Sequence, residues 1–98
     1  DYNELNSLAW TIATGKNIEP RNLPLAQKLA EQAVAASKGK NSSILDTLAR
    51  IQFMLGDKEK AIATEQKAVA VASDDEAKEI CQKTLAAYQQ GKLPDEKN

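Results

Sequence analysis

The chain has 98 residues, with 13 Lys and Arg against 14 Asp and Glu, no His, one Cys and four aromatic residues. Without histidine it cannot build Ser-His or Cys-His nucleophiles, histidine proton shuttles or histidine-bearing zinc sites, and a single Cys excludes an internal disulfide or a CxxC pair. A formal charge of -1, spread rather than blocked, lacks the basic footprint that attracts phosphate backbones or anionic lipid surfaces, so no nucleic-acid partner is expected.

Sixteen Ala and ten Leu, with few β-branched or aromatic residues, favour helix throughout. In chain order, the first expected helix carries Leu5, Leu8, Ala9 and Ile12 at steps of three and four and stops at Gly15. A Gly- and Pro-bearing connection runs from Gly15 to Pro24, and Asn22 is placed to cap a second helix whose buried stripe is Leu25, Ala26, Leu29, Ala30, Ala33 and Val34. The third starts at a Ser42 or Ser43 cap, buries Ile44, Leu45, Leu48, Ala49 and Gln52, and ends at Gly56. The fourth is capped by Asp57 and buries Ala61, Ile62, Glu65 or its stem, Ala68, Val69 and Ala72. A fifth begins at Ser73, with Glu76 at capping-box spacing, and carries Ala77, Ile80, Cys81, Thr84, Leu85 and Tyr88 before Gly91 and Pro94. Residues 92–98 read as a flexible polar tail. No apolar run is long enough to insert in a membrane.

The chain resembles itself. Ala26, Glu31, Gln32, Ala33, Val34 and Ala35 reappear 35 residues on as Ala61, Gln66, Lys67, Ala68, Val69 and Ala70, whereas Leu5, Leu8 and Ala9 match Leu45, Leu48 and Ala49 at an offset of 40. The first unit therefore has a longer internal connection. Ala9, Ala26, Ala33, Ala49, Ala61 and Ala68 fall where two antiparallel helices need their backbones close together, which Ala permits with no loss of helix propensity.

These residues carry a family likeness. Ser42 to Asp75 is 34 residues long and resembles a tetratricopeptide repeat (TPR), with Leu48, Ala49, Gly56-Asp57, Ala61-Ile62 and Lys67-Ala68-Val69 at the signature places. It departs from the family pattern where Leu45 replaces the usual Trp, Gln52 the usual Tyr, Glu65 the usual aromatic and Ser73 the usual Pro. Residues 3–39 resemble a second repeat with a lengthened turn, and residues 73–91 resemble the solvating helix that ends such arrays. The likeness implies an all-α domain over residues 1–91, a right-handed superhelical stack of antiparallel helix pairs with five helices. Leu8-Ala9-Trp10, Leu45 to Arg50 and Ala87 to Lys92 are further similar to terminal TPR segments of larger bacterial proteins, some with an upstream thioredoxin-like domain. That likeness implies an extracytoplasmic, periplasmic setting, and any redox chemistry would belong to the upstream part.

In this family the first helix of each pair lines a concave groove that docks a peptide or partner domain. Carried over by position, the groove-facing residues are Asn3, Asn6, Trp10, Ala13 and Thr14 in the first unit and Ser43, Asp46, Arg50, Phe53 and Met54 in the second. Of these, Asn6, Trp10, Asp46, Arg50, Phe53 and Met54 are the candidate binding residues, with Trp10 and Arg50 of the types enriched at binding hot spots. The competing reading buries Trp10 beneath an upstream domain and leaves Arg50 a solvated charge. The Lys and Asn pattern of the chaperone-tail carboxylate clamp is missing, since Asn6, Trp10 and Thr47 stand in its places.

No catalytic residue, metal ligand or cofactor is expected. Cys81 lies on the apolar stripe of the fifth helix as a core residue, and Asp74-Asp75-Glu76 complement a helix dipole without the spacing of a calcium loop. The expected function is non-catalytic protein interaction through the concave face. The alternative is a structural appendage that stabilises an upstream domain. The chain starts at Asp1 without an initiator Met and without a capping repeat, so helix 1 is expected to pack against upstream sequence or a second copy in a homodimer.

Overall fold

The computed structural model describes residues 2–15 and 21–94. These form five helices and, among the described residues, no strand: α1 (Tyr2–Thr14), α2 (Leu23–Ala36), α3 (Ser42–Met54), α4 (Lys58–Val71) and α5 (Asp75–Gln89). Residues 16–20 of the long connection and 95–98 of the tail lie outside the described residues.

The starts of α2 to α5 are each fixed by one side-chain oxygen. Asn22 accepts from the Leu25 N–H at 3.1 Å and Asp57 from the Lys60 N–H at 3.3 Å, the two caps expected from the sequence. The other two differ by one residue. Asn41, not Ser42 or Ser43, accepts from the Ile44 N–H at 3.2 Å, and Asp74, not Ser73, accepts from the Ala77 N–H at 2.7 Å. A carboxamide or carboxylate at these places reaches the third residue on, and the serines are already inside or just outside the first turn.

The ends are closed by backbone bonds. After α3, Gly56 takes a φ of +90°, its N–H donates to the Phe53 carbonyl and the Asp57 N–H donates to the Gln52 carbonyl. Asp57 thus finishes one helix and caps the next, so α3 and α4 turn back on each other within three residues. The same bonds end α2, where the Lys38 N–H reaches Ala35 and the Gly39 N–H reaches Val34, but here Lys38 itself holds a φ of +59°. A left-handed conformation penalises any Cβ, so Lys38→Gly is expected to raise the unfolding free energy by up to about 1 kcal/mol, read by urea denaturation. At the end of α1, the Arg21 guanidinium donates to the Ile12 carbonyl at 2.8 Å and the Gly15 carbonyl at 3.0 Å, neutralising the negative end of that helix.

Each helix packs on the next, and α3 also packs on both α1 and α5, whereas α2 and α4 make no such contact with each other. The odd helices therefore form one layer and the even helices lie behind it. A slab only 21 Å deep across its shortest axis matches two helix diameters. Helix α3 contributes to every part of the core. With Leu48 and Ile51 it meets Ala9, Ala13, Ala26 and Ala30; with Leu45 it meets Ala68 and Cys81; with Ala49 it meets Ala61 and Tyr88. All six alanines of the repeat pattern, Ala9, Ala26, Ala33, Ala49, Ala61 and Ala68, are fully buried.

Several apolar positions differ from the sequence reading. Leu8, Leu25 and Ile80 are exposed at 51%, 43% and 55%, because each lies at the edge of its helix stripe with no neighbouring helix beyond it. Conversely Leu93, assigned to the flexible tail, is half-buried against the cluster around Tyr88.

Candidate functional site

Because α1 and α5 flank α3 without touching each other, the odd-helix layer leaves a hollow along its outer face. A cavity of about 350 Å³ occupies it, walled by Asn6 and Trp10 from α1, Asp46 and Thr47 from α3, and Ile80 and Cys81 from α5. The first turn of α3 closes one end through Ser42 and Ser43. Thr47 donates its hydroxyl back to the Ser43 carbonyl at 3.0 Å.

A charged cluster lies under this cavity. The Arg50 guanidinium stacks on Trp10, 5.1 Å from the ring centroid, and its positive charge acts on both Asp46 and Glu65. Arg50 is only 8% exposed and Glu65 is fully buried. Glu65 belongs to α4, so the even layer contributes its carboxyl to the floor behind the odd layer.

Burial sets the protonation of the group. It pushes Asp46 above the usual carboxylate range, against the lowering effects of a hydrogen bond to Glu65 and of the Arg50 charge. Glu65 is pushed up to about 9, first by burial and then by the negative charge of Asp46 and the hydrogen bond to it, with Cys81 and Arg50 opposing. With both carboxyls ionised, Asp46 Oδ1 and both Glu65 oxygens are buried with no donor. A proton on Glu65 supplies one. At neutral pH the pair therefore carries one proton and one negative charge, balanced by Arg50. Burial and the two neighbouring carboxyls push the Cys81 thiol up to about 12, which holds it as an unreactive S–H and disfavours nucleophilic chemistry there.

Asp46, Glu65 and Cys81 also have ligand atoms within 4.8 Å of one another, the one such grouping among the described residues. The positive charge of Arg50 and the two retained protons already balance these groups, so the cluster is electrically satisfied without a cation.

Of the six candidate residues, the structure brings Asn6, Trp10 and Asp46 to the cavity wall and Arg50 beneath Trp10. Arg50 is neither a groove-lining side chain nor a solvated charge, because Trp10 covers it on one side and the carboxyls of Asp46 and Glu65 draw it inward. Phe53 and Met54 do not line the cavity. Phe53 stacks on Tyr88 with ring centroids 4.7 Å apart, and Met54 packs on the cluster of Ala9, Ala13 and Ile51. Ala13, also carried over from the family pattern, is 2% exposed and belongs to that same core. Ile80 and Cys81 on α5 were assigned to the core, and Ile80 instead borders the cavity. The signal for this was Ile80 at the margin of its stripe, with charged Lys78, Glu79 and Lys83 around it.

No protein-family model, curated protein or solved structure matches the chain. No helix among the described residues is long and apolar enough to cross a membrane.

Proposed function

We propose that the chain is a non-catalytic, TPR-like interaction module, its helix pairs stacked in a right-handed superhelix, that binds a peptide or partner domain along the layer formed by α1, α3 and α5. The single observation that carries the reading is the cavity on that layer, whose wall includes a Trp10 ring still 38% exposed and held in place by Arg50 behind it. A large aromatic side chain fixed by a buried partner, and open on its other border, is the form that binding hot spots take. The thiol held as S–H and the charge-balanced carboxyl pair support a reading of recognition rather than turnover.

Peptides selected from a random library on the native chain test this. Trp10→Ala is expected to weaken their binding by roughly 30-fold, the scale of one hot-spot side chain, with helicity unchanged by circular dichroism. Equal binding to Trp10→Ala would contradict the reading.

A second reading rests on a different surface. Tyr2 and Leu8 on α1 and Leu25 on α2 are exposed, and they fit a structural appendage whose first hairpin is covered by further sequence or by a second copy. In that case Trp10→Ala would leave every interaction unchanged, while Leu8→Asp would abolish association.

A further inference from the structure

The side chains beneath the cavity form a chain of contacts from the even layer to the cavity wall. Glu65 on α4 is fully buried and is hydrogen-bonded to Asp46 on α3, which is half-buried and borders the cavity. Arg50 follows Asp46 by four positions, so the two lie on one face of α3, and its guanidinium stacks on Trp10 of α1. Four residues on three helices thus connect a carboxyl that has no exposed surface to an aromatic ring that lines the cavity.

The geometry makes this chain sensitive to one proton. Glu65 Oε1 and Oε2 and Asp46 Oδ1 are enclosed with no donor, so the arrangement closes only when one of the two carboxyls carries a hydrogen. Removing that hydrogen sets two carboxylates against each other in the interior. Helix α4 packs on α3 and α5, and the titratable or charged groups that act on Glu65 from them are Asp46 and Arg50 on α3 and Cys81 on α5. Cys81 offers a hydrogen bond but no positive charge, so the single charge of Arg50 is left to balance two. Of the pair, Asp46 is the one with room to move, because it alone borders the cavity and can swing toward water there. Arg50 then turns inward to the newly ionised Glu65, since an unbalanced interior charge outweighs one cation–π contact, and Trp10 loses its backing.

We propose that Glu65 is a positioning residue for Trp10, and that the proton it shares with Asp46 decides, through Arg50, whether the groove holds that ring in its binding position. The inference rests on the groove reading above and adds its regulation. The site is formed while the proton is in place and comes apart when the proton leaves to water through the cavity. Glu65 is pushed up to about 9, so the formed state prevails at neutral pH and the change falls on the alkaline side.

Trp10 is the sole tryptophan of the chain, so its fluorescence reports the ring directly. The native chain is titrated from about pH 6 to about pH 10, with helicity followed by circular dichroism. A red shift and easier quenching by acrylamide are expected, with a midpoint near 9 and helicity unchanged. Glu65→Gln keeps a donor and cannot ionise, so its fluorescence should stay flat, which also separates the effect from nearby lysine and tyrosine titration. Asp46→Asn removes the negative charge that raises Glu65, so the midpoint should move down toward the ordinary carboxylate range; this variant serves if the first fails to fold. Peptides from the library selection should bind the native chain about tenfold more weakly above the midpoint than below it, the equivalent of one desolvated cation–π contact, and should bind Glu65→Gln equally at both. No fluorescence change, a change that persists in Glu65→Gln, or one that follows loss of helicity step for step overturns the inference and leaves the groove reading to the library selection on Trp10→Ala. If that selection instead yields no peptide, the groove reading fails while the fluorescence titration still decides whether Glu65 positions Trp10.

Discussion

Arg50→Ala is expected to lower the unfolding free energy by about 3–5 kcal/mol, the cost of removing one partner from a buried charged group. The guanidinium is nearly enclosed, stacks on Trp10, and supplies the positive charge that offsets the single negative charge of the Asp46–Glu65 pair. Without it that charge stays in the interior with nothing to balance it. A domain of this size has a total stability of roughly 5–15 kcal/mol, so the variant should melt far below the native chain and approach partial unfolding at room temperature. The loss should be smaller at pH 4 than at pH 8, since both carboxyls accept protons in acid and the interior charge then disappears. Thermal melts of the two proteins across that range check both the size and the sign. A loss of the same size at both pH values would mean that Arg50 acts through its alkyl stem alone.

Glu65→Gln is expected to change how stability depends on pH. The folded-state value of Glu65 lies at about 9, above its ordinary 4.5, so the folded chain holds a proton that the unfolded chain has released across the interval between them. The stabilising contribution is complete below 4.5 and is lost as pH rises through 9. The native chain should therefore lose up to about 1.4 kcal/mol per pH unit in that window. Asp46 is shifted in the same direction and adds to the loss just above its ordinary 3.8. The groups facing Glu65 are Asp46 and Arg50 from α3 and Cys81 from α5, and of these Cys81 and Arg50 oppose the effect without reversing it. Glutamine keeps the shape and always carries a donor for Asp46. Its variant should give a nearly flat profile between pH 6 and pH 9 and should exceed the native chain in stability at the alkaline end. Parallel profiles for the two proteins would show that Glu65 is ionised in the folded state after all.

Most of the fold is legible in the residues themselves. Five helices follow from periodic Leu and Ala with Gly or capping residues at the breaks, and the six recurring alanines are the positions where the backbones come closest. The local errors have a common origin. Asn41 and Asp74 cap where the sequence points to neighbouring serines, since Asn, Asp and Ser can all cap and only geometry chooses between adjacent ones. Leu8, Leu25 and Ile80 sit at stripe margins, where burial depends on whether another helix happens to lie beyond.

The site was legible in part, for a different reason. The resemblance places Asn6, Trp10 and Asp46 on one face, and the structure brings these three to one cavity wall. The spacing does not say which residues a third helix covers, so Phe53 and Met54 could not be separated from them. Nor did it disclose the partner of Arg50, which comes from Glu65 on the opposite layer, 15 positions away in the chain. Such a pairing between helices leaves no periodic trace in a single sequence. The one available hint was Glu65 itself, a carboxyl standing where the repeat pattern wants an aromatic ring.

The account stands or falls on where a ligand sits. The most direct measurement is amide chemical-shift mapping of the native chain titrated with a peptide taken from the library selection. Shifts concentrated on Asn6, Trp10, Asp46, Thr47 and Ile80, with α2 and the outer face of α4 unmoved, are the predicted result. Shifts centred instead on Leu8 and Leu25 would contradict it and assign binding to the outer face of the first hairpin.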